Sequence, residues 1–454
     1  MADIEADWSA DSTSAVNISL VAPGKTLHTF HPKFTYSMFG EEERIFGYQG
    51  LKINLKFHVC DMRPVLQITY NKKFKAVGQT EPTDLKPILE EFLPKTAFEK
   101  TAVFEAAIEA DSYADWKPPG ELWKTIQSGS QTFEVWKGSL ADLAVQQMVK
   151  RIQVLVPFFI EGDNVESSRS PYTFMGYSTV YRYFLYQPLA SPEGPKPKRQ
   201  RIYHEPNLDF NLPLPKISFS NLPCRSRISQ FIILPPFQAG GNGSRFYNAI
   251  FDYYLQDPKT IEITVEDPNE AFDDLRDLND LVRLRTLSEF VTLRIKTTVS
   301  PRAGRPVPKD VLDIDTLEGI RTKLKIAPRQ FARVVEMQLL SLIPLGVRQS
   351  LVLEKLDKIQ DLKARQFEYR LWQIWVKKRL HKHNRDMLMQ LERPERITKL
   401  EEALSSVEAD YGRLLRTLDR RVQGVSSSNG KRSSPDEEEE DSGEPSAKKA
   451  KTDS

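Results

Sequence analysis

Alternating apolar and polar positions mark the first third of the chain. Leu51–Phe57 alternates strictly, Val65–Tyr70 repeats the pattern, and Thr132–Trp136 shows it again further along. A period of two residues is typical of half-buried β-strands. Between Leu85 and Ala110 the spacing of the apolar residues becomes helical. We therefore predict a small mixed α and β domain over residues 20–140.

A second region, residues 141–300, has the pattern of an α/β core. Ala141–Phe159 has the spacing of an amphipathic helix, and Tyr172–Tyr186 is rich in the aromatic and β-branched residues that strands favour. Patterns of strand, helix, strand and helix follow in close order between Arg227 and Leu284. The proline-rich segment 187–220 reads as a loop inserted into this core.

The remaining segments have other compositions. Residues 1–19 are polar and acidic, so we expect a flexible arm. Residues 301–345 predict a C-terminal helical domain, and residues 346–424 a helical extension with a break near Pro394. Residues 425–454 contain no aromatic residue and cannot form a core.

Charge and cysteine content exclude several classes of protein. The 454 residues carry 64 Lys and Arg against 62 Asp and Glu, a net charge of +2 that gives no global preference for nucleic acid. Two cysteines exclude a disulfide scaffold and a four-cysteine zinc site, and the histidines form no convincing ligand set. No apolar run approaches the roughly 20 residues of a membrane span. We expect an intracellular soluble protein without a metal.

Two basic segments leave alternatives open. Lys363–Arg385 carries eight Lys and Arg against one acid on a helical pattern, which fits a solvated helix face or a contact with nucleic acid or a partner chain. In the tail, Lys431–Arg432 and Lys448–Lys451 have the spacing of a bipartite nuclear import signal, a pattern that also arises by chance. On this basis we expect the protein in both cytoplasm and nucleus.

The segment richest in chemistry lies between two predicted strands. Ile228–Leu234 reads as a strand, and a glycine-rich turn with the sequence Gln-Ala-Gly-Gly-Asn-Gly-Ser follows at residues 238–244, before a helical pattern. Such a turn presents unpaired backbone N–H groups at a helix N-terminus, where a diphosphate binds well. The next strand, Thr260–Val265, ends in the carboxylate of Glu266. The turn lacks the Walker and Rossmann patterns.

This arrangement resembles the acyl-coenzyme A site of the GNAT acetyltransferases, and more narrowly the fungal-like type B histone acetyltransferase catalytic subunits. The resemblance covers roughly residues 25–345 with gaps, and five phrases carry it: Phe39–Tyr48, Gly176–Tyr181, Ser229–Gln238, Val265–Pro268 and Lys323–Leu340. It implies an α/β (α+β) fold with a GNAT core and an enzyme that acetylates histone lysines.

The resemblance also assigns residues to the coenzyme. It implies that the backbone of Phe231, Ile232 and Ile233 pairs with the pantetheine arm of acetyl-coenzyme A. The family's Gln/Arg-x-x-Gly-x-Gly loop corresponds to residues 238–244, and Asn269 matches a further coenzyme contact. The loop consists of Gln238, Ala239, Gly240, Gly241, Asn242, Gly243 and Ser244. Family members commonly have Gly-Gln where this chain has Ala239 and Gly240, so one side-chain contact is expected to be lost.

Catalytic roles follow from the same resemblance. Glu266 matches the general base, with Asp267 and Glu161 as alternatives. A base is needed because a lysine ammonium has a reference pKa of about 10.4, so few amines are neutral at pH 7. Direct transfer in a ternary complex requires neither a nucleophilic cysteine nor a metal.

Two patches correspond to histone contacts in the family. The first is acidic and the second is aromatic and basic: Glu41, Glu42 and Glu43, then Tyr181, Arg182 and Tyr183. Acidic and aromatic groups suit a lysine-rich peptide. Three glutamates also fit a solvated turn, and two alternating tyrosines also fit one packed face of a strand.

One departure concerns the connection between Glu161 and Tyr172. Family members have an additional strand with a tryptophan here, whereas only Gly162–Pro171 connects the two residues in this chain. Either the protein lacks that strand or the coding sequence has lost an exon.

The leading interpretation is an enzyme that acetylates lysines of newly made histone H4, bound with H3 and with a WD40-type histone-binding subunit. We expect no membrane contact and no direct binding of nucleic acid. Two alternatives stay open: a GNAT enzyme acting on another protein or a small amine, and a histone-binding scaffold that has lost turnover.

Overall fold

The computed structural model describes residues 8–78, 80–110, 116–158, 172–185, 222–301, 308–349 and 360–429. The chain divides into two compact units. The first consists of Met1–Val299 with Pro308–Gln338, and the second of Ser300–Val307 with Leu339–Ser454. The regions predicted at 20–140 and 141–300 thus lie in one unit, while the exact domain bounds stay predictions. Glu161 and the segments 162–171, 187–220 and 430–454 lie outside the described residues.

The strands described in the first part of unit one are β1 (Ser9–Asp11), β2 (Val16–Ala22), β3 (Lys25–Phe30), β4 (Arg44–Phe46), β5 (Tyr48–Gln49), β6 (Lys52–His58), β7 (Pro64–Thr69) and β8 (Lys72–Lys73). Four of them form a sheet with the order β3-β2-β6-β7, in which β2 and β6 run parallel. The helices of this part are α1 (Ser12–Ala15), α2 (Tyr36–Phe39), α3 (Leu85–Glu90) and α4 (Thr101–Ala110). The strands predicted from the alternation at 51–57 and 65–70 are confirmed as β6 and β7.

The prediction of a flexible arm at residues 1–19 is wrong for its described part. Ser9–Asp11 pairs with β4, and β2 enters the middle of the sheet with Val16 and Ile18 fully buried. The polar composition suggested an exposed arm, but Ser and Thr hydroxyls of this segment form hydrogen bonds with other parts of the protein. The hydroxyl of Ser12, for example, donates a 2.7 Å hydrogen bond to the carbonyl of Glu43.

A hairpin and a helix connect this sheet to the next one. The hairpin consists of β9 (Glu121–Ser128) and β10 (Gln131–Lys137), and the helix is α5 (Leu143–Ile152). β10 confirms the strand predicted at 132–136. The helix predicted at 141–159 is shorter than expected, because the chain tightens into a 3₁₀ turn at Gln153–Leu155.

The central sheet has three strands and confirms the predicted succession of strand, helix, strand and helix. Its elements are β11 (Gly176–Phe184), β12 (Cys224–Ile233), α6 (Asn242–Gln256), β13 (Thr260–Val265) and α7 (Glu270–Leu284). The order is β11-β12-β13, with β11 antiparallel and β13 parallel to β12. The fold is therefore a mixed α and β fold of the GNAT type, as the sequence predicts.

One hydrophobic core joins the two sheets of unit one. Ile232 and Leu234 at the end of β12 are buried in the same cluster as Leu20 and Phe57 of the first sheet. Burial of apolar surface stabilises by about 25 cal/mol per Å². One face of β12 thereby packs against the first sheet. The edge of β12 that no longer pairs with β13 beyond Ile228 forms part of the site described below.

Helices follow the central sheet. They are α8 (Ser288–Val291), α9 (Ile314–Lys323), α10 (Pro328–Leu342), α11 (Leu345–Gln349), α12 (Gln360–His383), α13 (Arg385–Leu388) and α14 (Arg393–Asn429). α14 begins beside Pro394, where a first helical turn tolerates proline, so the break predicted there is confirmed. In unit two, Trp372 of α12 and Tyr411 of α14 are fully buried. None of the helices in the described ranges is long and apolar enough to cross a membrane.

Candidate active site

Strands β12 and β13 separate where the glycine-rich turn and the acidic residue predicted from the sequence come together. Their parallel register ends at Ile228 and Val265, and the N–H of Glu266 donates the last bond, 2.9 Å long, to the carbonyl of Ile228. β12 then continues to Ile233 and, among the described residues, pairs there with β11 alone. We call this point, from Ser229 to Ile233 on one side and Glu266 on the other, the strand fork.

A one-residue bulge at Ser229 sets which way the backbone points beyond the fork. Val180 pairs with Ile228 and Thr179 with Gln230, so Ser229 has no partner in the register. Further along, the N–H of Leu234 donates to Met175 on the β11 side.

Backbone groups alternate in direction along a strand. Because the backbone N–H of Leu234 points toward β11, the backbone N–H groups of Phe231 and Ile233 point the other way, into the gap left where β13 ends. An extended ligand can pair with them there. The carbonyl of Ile233 already accepts a 2.5 Å hydrogen bond from the side-chain amide of Gln238.

The glycine-rich turn ends in the N-terminus of helix α6. Gly241 has a φ of +79° and stands at the N-cap. The first helical hydrogen bond runs from the N–H of Arg245 to Gly241. The N–H groups of Asn242, Gly243 and Ser244 therefore precede the helical ladder, which is the arrangement that binds phosphate groups.

Side chains of the turn hold the turn itself. The amide of Asn242 donates to the carbonyl of Phe237 at 2.8 Å, and the hydroxyl of Ser244 accepts from Asn279 at 3.0 Å. A Cβ atom on Gly243 would lie 2.8 Å from Cδ1 of Leu275 in α7, so a side chain here would have to displace the end of that leucine. The backbone, rather than these side chains, is left to contact a diphosphate.

Arg245 is a residue of this turn that sequence reasoning missed. Its guanidinium donates to the carbonyl of Gly240 at 2.7 Å and to Asn242 at 2.8 Å, and it lies 5.2 Å from the ring centre of Phe133 in the β9–β10 hairpin. The only signal in the sequence was a basic residue one turn into the helix after the glycines.

The carboxylate of Glu266 is held by two hydroxyl groups at the strand fork. Ser229 donates a 2.6 Å hydrogen bond to Oε2, and Tyr181 donates a 2.9 Å hydrogen bond to Oε1. The guanidinium of Arg227 lies 3.8 Å from Oε1 and 3.3 Å from the Tyr181 hydroxyl.

These contacts lower the pKa of Glu266, through the Ser229 hydrogen bond first, then that of Tyr181, then the charge of Arg227. The side chain is 37% exposed. The result is a carboxylate that is ionised at neutral pH, fixed in direction and accessible to substrate.

Of the two alternative bases, Glu161 lies outside the described residues, and Asp267 differs from Glu266. Asp267 is exposed with a φ of +35°, and no described residue forms a hydrogen bond or an ion pair with its carboxylate. Asn269 stands at the N-cap of α7, where its side chain accepts a 2.9 Å hydrogen bond from the N–H of Phe272. Its predicted contact with the coenzyme has to be compatible with that cap.

The residues assigned to histone binding take different positions. Glu41 and Glu42 are exposed on the turn before β4, whereas Glu43 turns inward and accepts hydrogen bonds from the backbone N–H and the hydroxyl of Thr35. Tyr183 is 58% exposed. Of the residues expected to contact the histone, the exposed ones are therefore Glu41, Glu42 and Tyr183.

Arg182 and Tyr181 are engaged within the protein. Arg182 forms a 2.9 Å ion pair with Asp257, which ties β11 to the turn before β13. Tyr181 serves the carboxylate of Glu266, a role that its position in the sequence did not indicate. Among the described residues, no group of three or more His, Cys, Asp or Glu side chains could hold a metal ion.

Comparison with known proteins points to one family. Residues 8–161 match the family model described as histone acetyl transferase HAT1 N-terminus, and residues 306–342 match the one described as fungal HAT1, C-terminal.

Curated relatives match over nearly the whole chain. A protein of Pyricularia oryzae is 45% identical over 476 aligned positions, covering 98% of each chain. Proteins of Gibberella zeae and Yarrowia lipolytica are 42% and 32% identical, covering 94% and 92% of this chain and 94% of each relative. All three are named histone acetyltransferase type B catalytic subunit.

Proposed function

This chain belongs to the family of histone acetyltransferase type B catalytic subunits, and from that premise we propose that it acetylates lysines of newly synthesised, free histone H4. The acetyl donor is acetyl-coenzyme A. The reaction is a direct transfer in a ternary complex, and its product supports histone deposition during chromatin assembly.

The observation that carries this proposal is the fixed carboxylate of Glu266 at the strand fork. The carboxylate lies where β12 and β13 separate and accepts hydrogen bonds from two hydroxyl groups. Glu266 directly follows β13, the strand that ends at the fork. A general base has to be ionised and aimed at the proton that it removes. The two hydrogen bonds to Glu266 and its lowered pKa support this assignment, whereas no described residue forms a hydrogen bond or an ion pair with the carboxylate of Asp267.

The chemistry needs few groups. The lysine nitrogen attacks the carbonyl carbon of the thioester, the carbon–sulfur bond breaks, and the coenzyme leaves as a thiolate. As the nitrogen–carbon bond forms, the nitrogen loses a proton to Glu266. The hydrogen bonds from Ser229 and Tyr181 hold the accepting oxygens in place during this step.

The coenzyme fits the groups beside Glu266. The diphosphate would take the backbone N–H groups of Asn242, Gly243 and Ser244, and the pantetheine arm would pair with the backbone of Phe231 and Ile233. The free edge of β12, the glycine-rich turn and the N-terminus of α6 follow one another closely in the chain, which supports this placement. We propose that the thioester then lies next to the carboxylate.

The protein substrate is proposed on charge. Glu41, Glu42 and the exposed ring of Tyr183 suit a lysine-rich tail, and the histone named in the relatives' titles is the class of substrate that carries one. We propose histone H4, presented with H3, as that substrate. A WD40-type histone-binding subunit is the proposed partner.

Two alternatives are separated by one experiment. Purified protein is incubated with acetyl-coenzyme A and either free H4, assembled nucleosomes or a polyamine, and acetyl-lysines are mapped by mass spectrometry. Acetylation of free H4 well above the other two substrates supports the proposal. Preference for the polyamine would identify a small-amine acetyltransferase, and binding of H4 without turnover would identify a scaffold.

A matched pair of variants shows that the activity belongs to the site. Glu266→Gln removes the proton acceptor at the fork, whereas Glu289→Gln makes the same chemical change on the exposed helix α8. The proposal requires that only the first strongly lowers the rate of H4 acetylation at pH 7.

A further inference from the structure

We propose that Ser229 is a positioning residue for the base of this reaction: its hydroxyl, which donates to Oε2, fixes the Glu266 carboxylate in its catalytic orientation. The proposal rests on the function proposed above. Ser229 lies in the segment assigned to the coenzyme strand, but the role concerns the carboxylate and not the coenzyme.

Ser229 lies on the same face of β12 as Arg227, since Ile228 between them is buried on the opposite face. The Ser229 hydroxyl lies 2.6 Å from Oε2 of Glu266. The register shift between Val180 and Thr179 leaves Ser229 without a partner in the register with β11. Without that extra residue, the backbone groups of Phe231 and Ile233 would point toward β11 instead of into the gap. Bulges are over-represented next to active sites.

The same bulge turns the following backbone groups into the gap. The bulge therefore lies beside the proton acceptor and orients the strand edge that is proposed to receive the acyl donor.

The three groups around the carboxylate have different tasks. Tyr181 of β11 binds the other oxygen, Oε1, and Arg227 of β12 is at 3.8 Å, where it balances the charge without a direct hydrogen bond. Two further groups lie nearby. Asp267 is the next residue after Glu266, and the ring centre of Tyr183 lies 5.9 Å from Cζ of Arg227. Only Ser229 contacts Oε2 among the described residues, so its loss leaves that oxygen free to rotate.

The test is the pH dependence of kcat/KM for H4 acetylation in four variants. These are Ser229→Ala, Ser229→Thr, Glu266→Gln and Ser226→Ala. Ser226 is a control on the same strand, because its hydroxyl is buried against Thr260 at 2.7 Å and does not reach the fork.

In wild type, activity falls as the pH decreases through the pKa of Glu266, because the protonated carboxyl cannot accept. The Ser229 hydrogen bond is the largest cause that lowers this pKa. Ser229→Ala should therefore move the acidic limb of the profile to higher pH. It should also lower the plateau of kcat by about tenfold, less than the roughly 10²–10⁴-fold contribution of a general base.

The remaining variants complete the pattern. Ser229→Thr keeps the hydroxyl and should restore the limb to its wild-type position. Ser226→Ala should leave the limb where it is. KM for acetyl-coenzyme A should stay within about twofold in Ser229→Ala, since an interaction with the base alone does not change ground-state binding.

The two proposals fail in different ways. If the acidic limb persists unchanged in Glu266→Gln, Glu266 is not the base and the proposed mechanism is overturned. If the limb disappears in Glu266→Gln but does not move in Ser229→Ala, the base assignment holds and the role of Ser229 is overturned. A lower melting temperature of Ser229→Ala with an unmoved limb would assign Ser229 to the stability of the fold alone.

Discussion

The guanidinium of Arg245 donates a 2.7 Å hydrogen bond to the hydroxyl of Ser128, which joins the first turn of α6 to the end of strand β9. The same guanidinium holds the carbonyl of Gly240. The glycine-rich turn is therefore held by a hairpin that the sequence predicted to lie in another domain. A turn held in place before binding loses less conformational entropy when its ligand arrives.

Arg245→Gln should weaken the binding of acetyl-coenzyme A. A released turn has to be ordered on binding, so we expect Kd to rise by about three- to tenfold with little change in kcat. Isothermal titration calorimetry measures this. Arg294→Gln is the control, because Arg294 donates only to the nearby carbonyls of Val291 and Leu293. A fall in melting temperature with an unchanged Kd would limit Arg245 to holding the hairpin.

Glu266→Gln should lower kcat at pH 7 by at least about a hundredfold, the lower bound of a general-base contribution. Glutamine keeps the size of the side chain but cannot take the proton. Part of the rate should return at high pH, where more of the substrate lysine is neutral. A kcat within about threefold of wild type, far short of that range, would move the base to Asp267 or Glu161.

Gly241→Val should raise the Kd for acetyl-coenzyme A and leave the binding of the histone substrate unchanged. The φ of +79° at Gly241 disfavours any side chain, and a branched one also obstructs the approach of a diphosphate to the backbone. Gly24→Val is the matched control, since Gly24 has a φ of +66° with nothing within 4 Å of an added Cβ. Equal effects of the two variants on affinity would mean that only general strain is being measured.

Removal of residues 430–454 should shift the protein toward the cytoplasm without changing the activity of the purified enzyme. The basic pairs at Lys431–Arg432 and Lys448–Lys451 are the proposed import signal. Fluorescence microscopy of tagged full-length and shortened chains measures the nuclear fraction. Substitution of both pairs by alanine in the full chain should give the same shift, and an unchanged nuclear fraction would contradict the signal.

The connection between Glu161 and Tyr172 should be longer in the mature transcript. Within the described part of the chain, β11 pairs with β12 alone, and an open strand edge favours aggregation. Sequencing of the transcript decides the question. A message that encodes only Gly162–Pro171 at this place would show that the strand is truly missing.

Local patterns determined much of this fold. The alternation at 51–57 predicted β6, and the succession from Arg227 to Leu284 predicted β12, α6, β13 and α7, although β12 begins at Cys224, four residues before the predicted Ile228. Glycine spacing and an acid at a strand end located the candidate site, because these features depend on residues close together in the chain. The same reasoning failed for residues 9–19, whose polar side chains are bonded to distant segments.

The tertiary structure decided what each candidate side chain contacts. Ser229, Tyr181 and Glu266 lie on three different strands or their ends, and only the pairing of β11 with β12 and β12 with β13 brings them together. Glu43 and Arg182 looked like surface groups until their partners Thr35 and Asp257 were placed. Sequence fixes residue types and local spacing, whereas a hydrogen bond also depends on a register and a bulge, which arise only when the sheet forms.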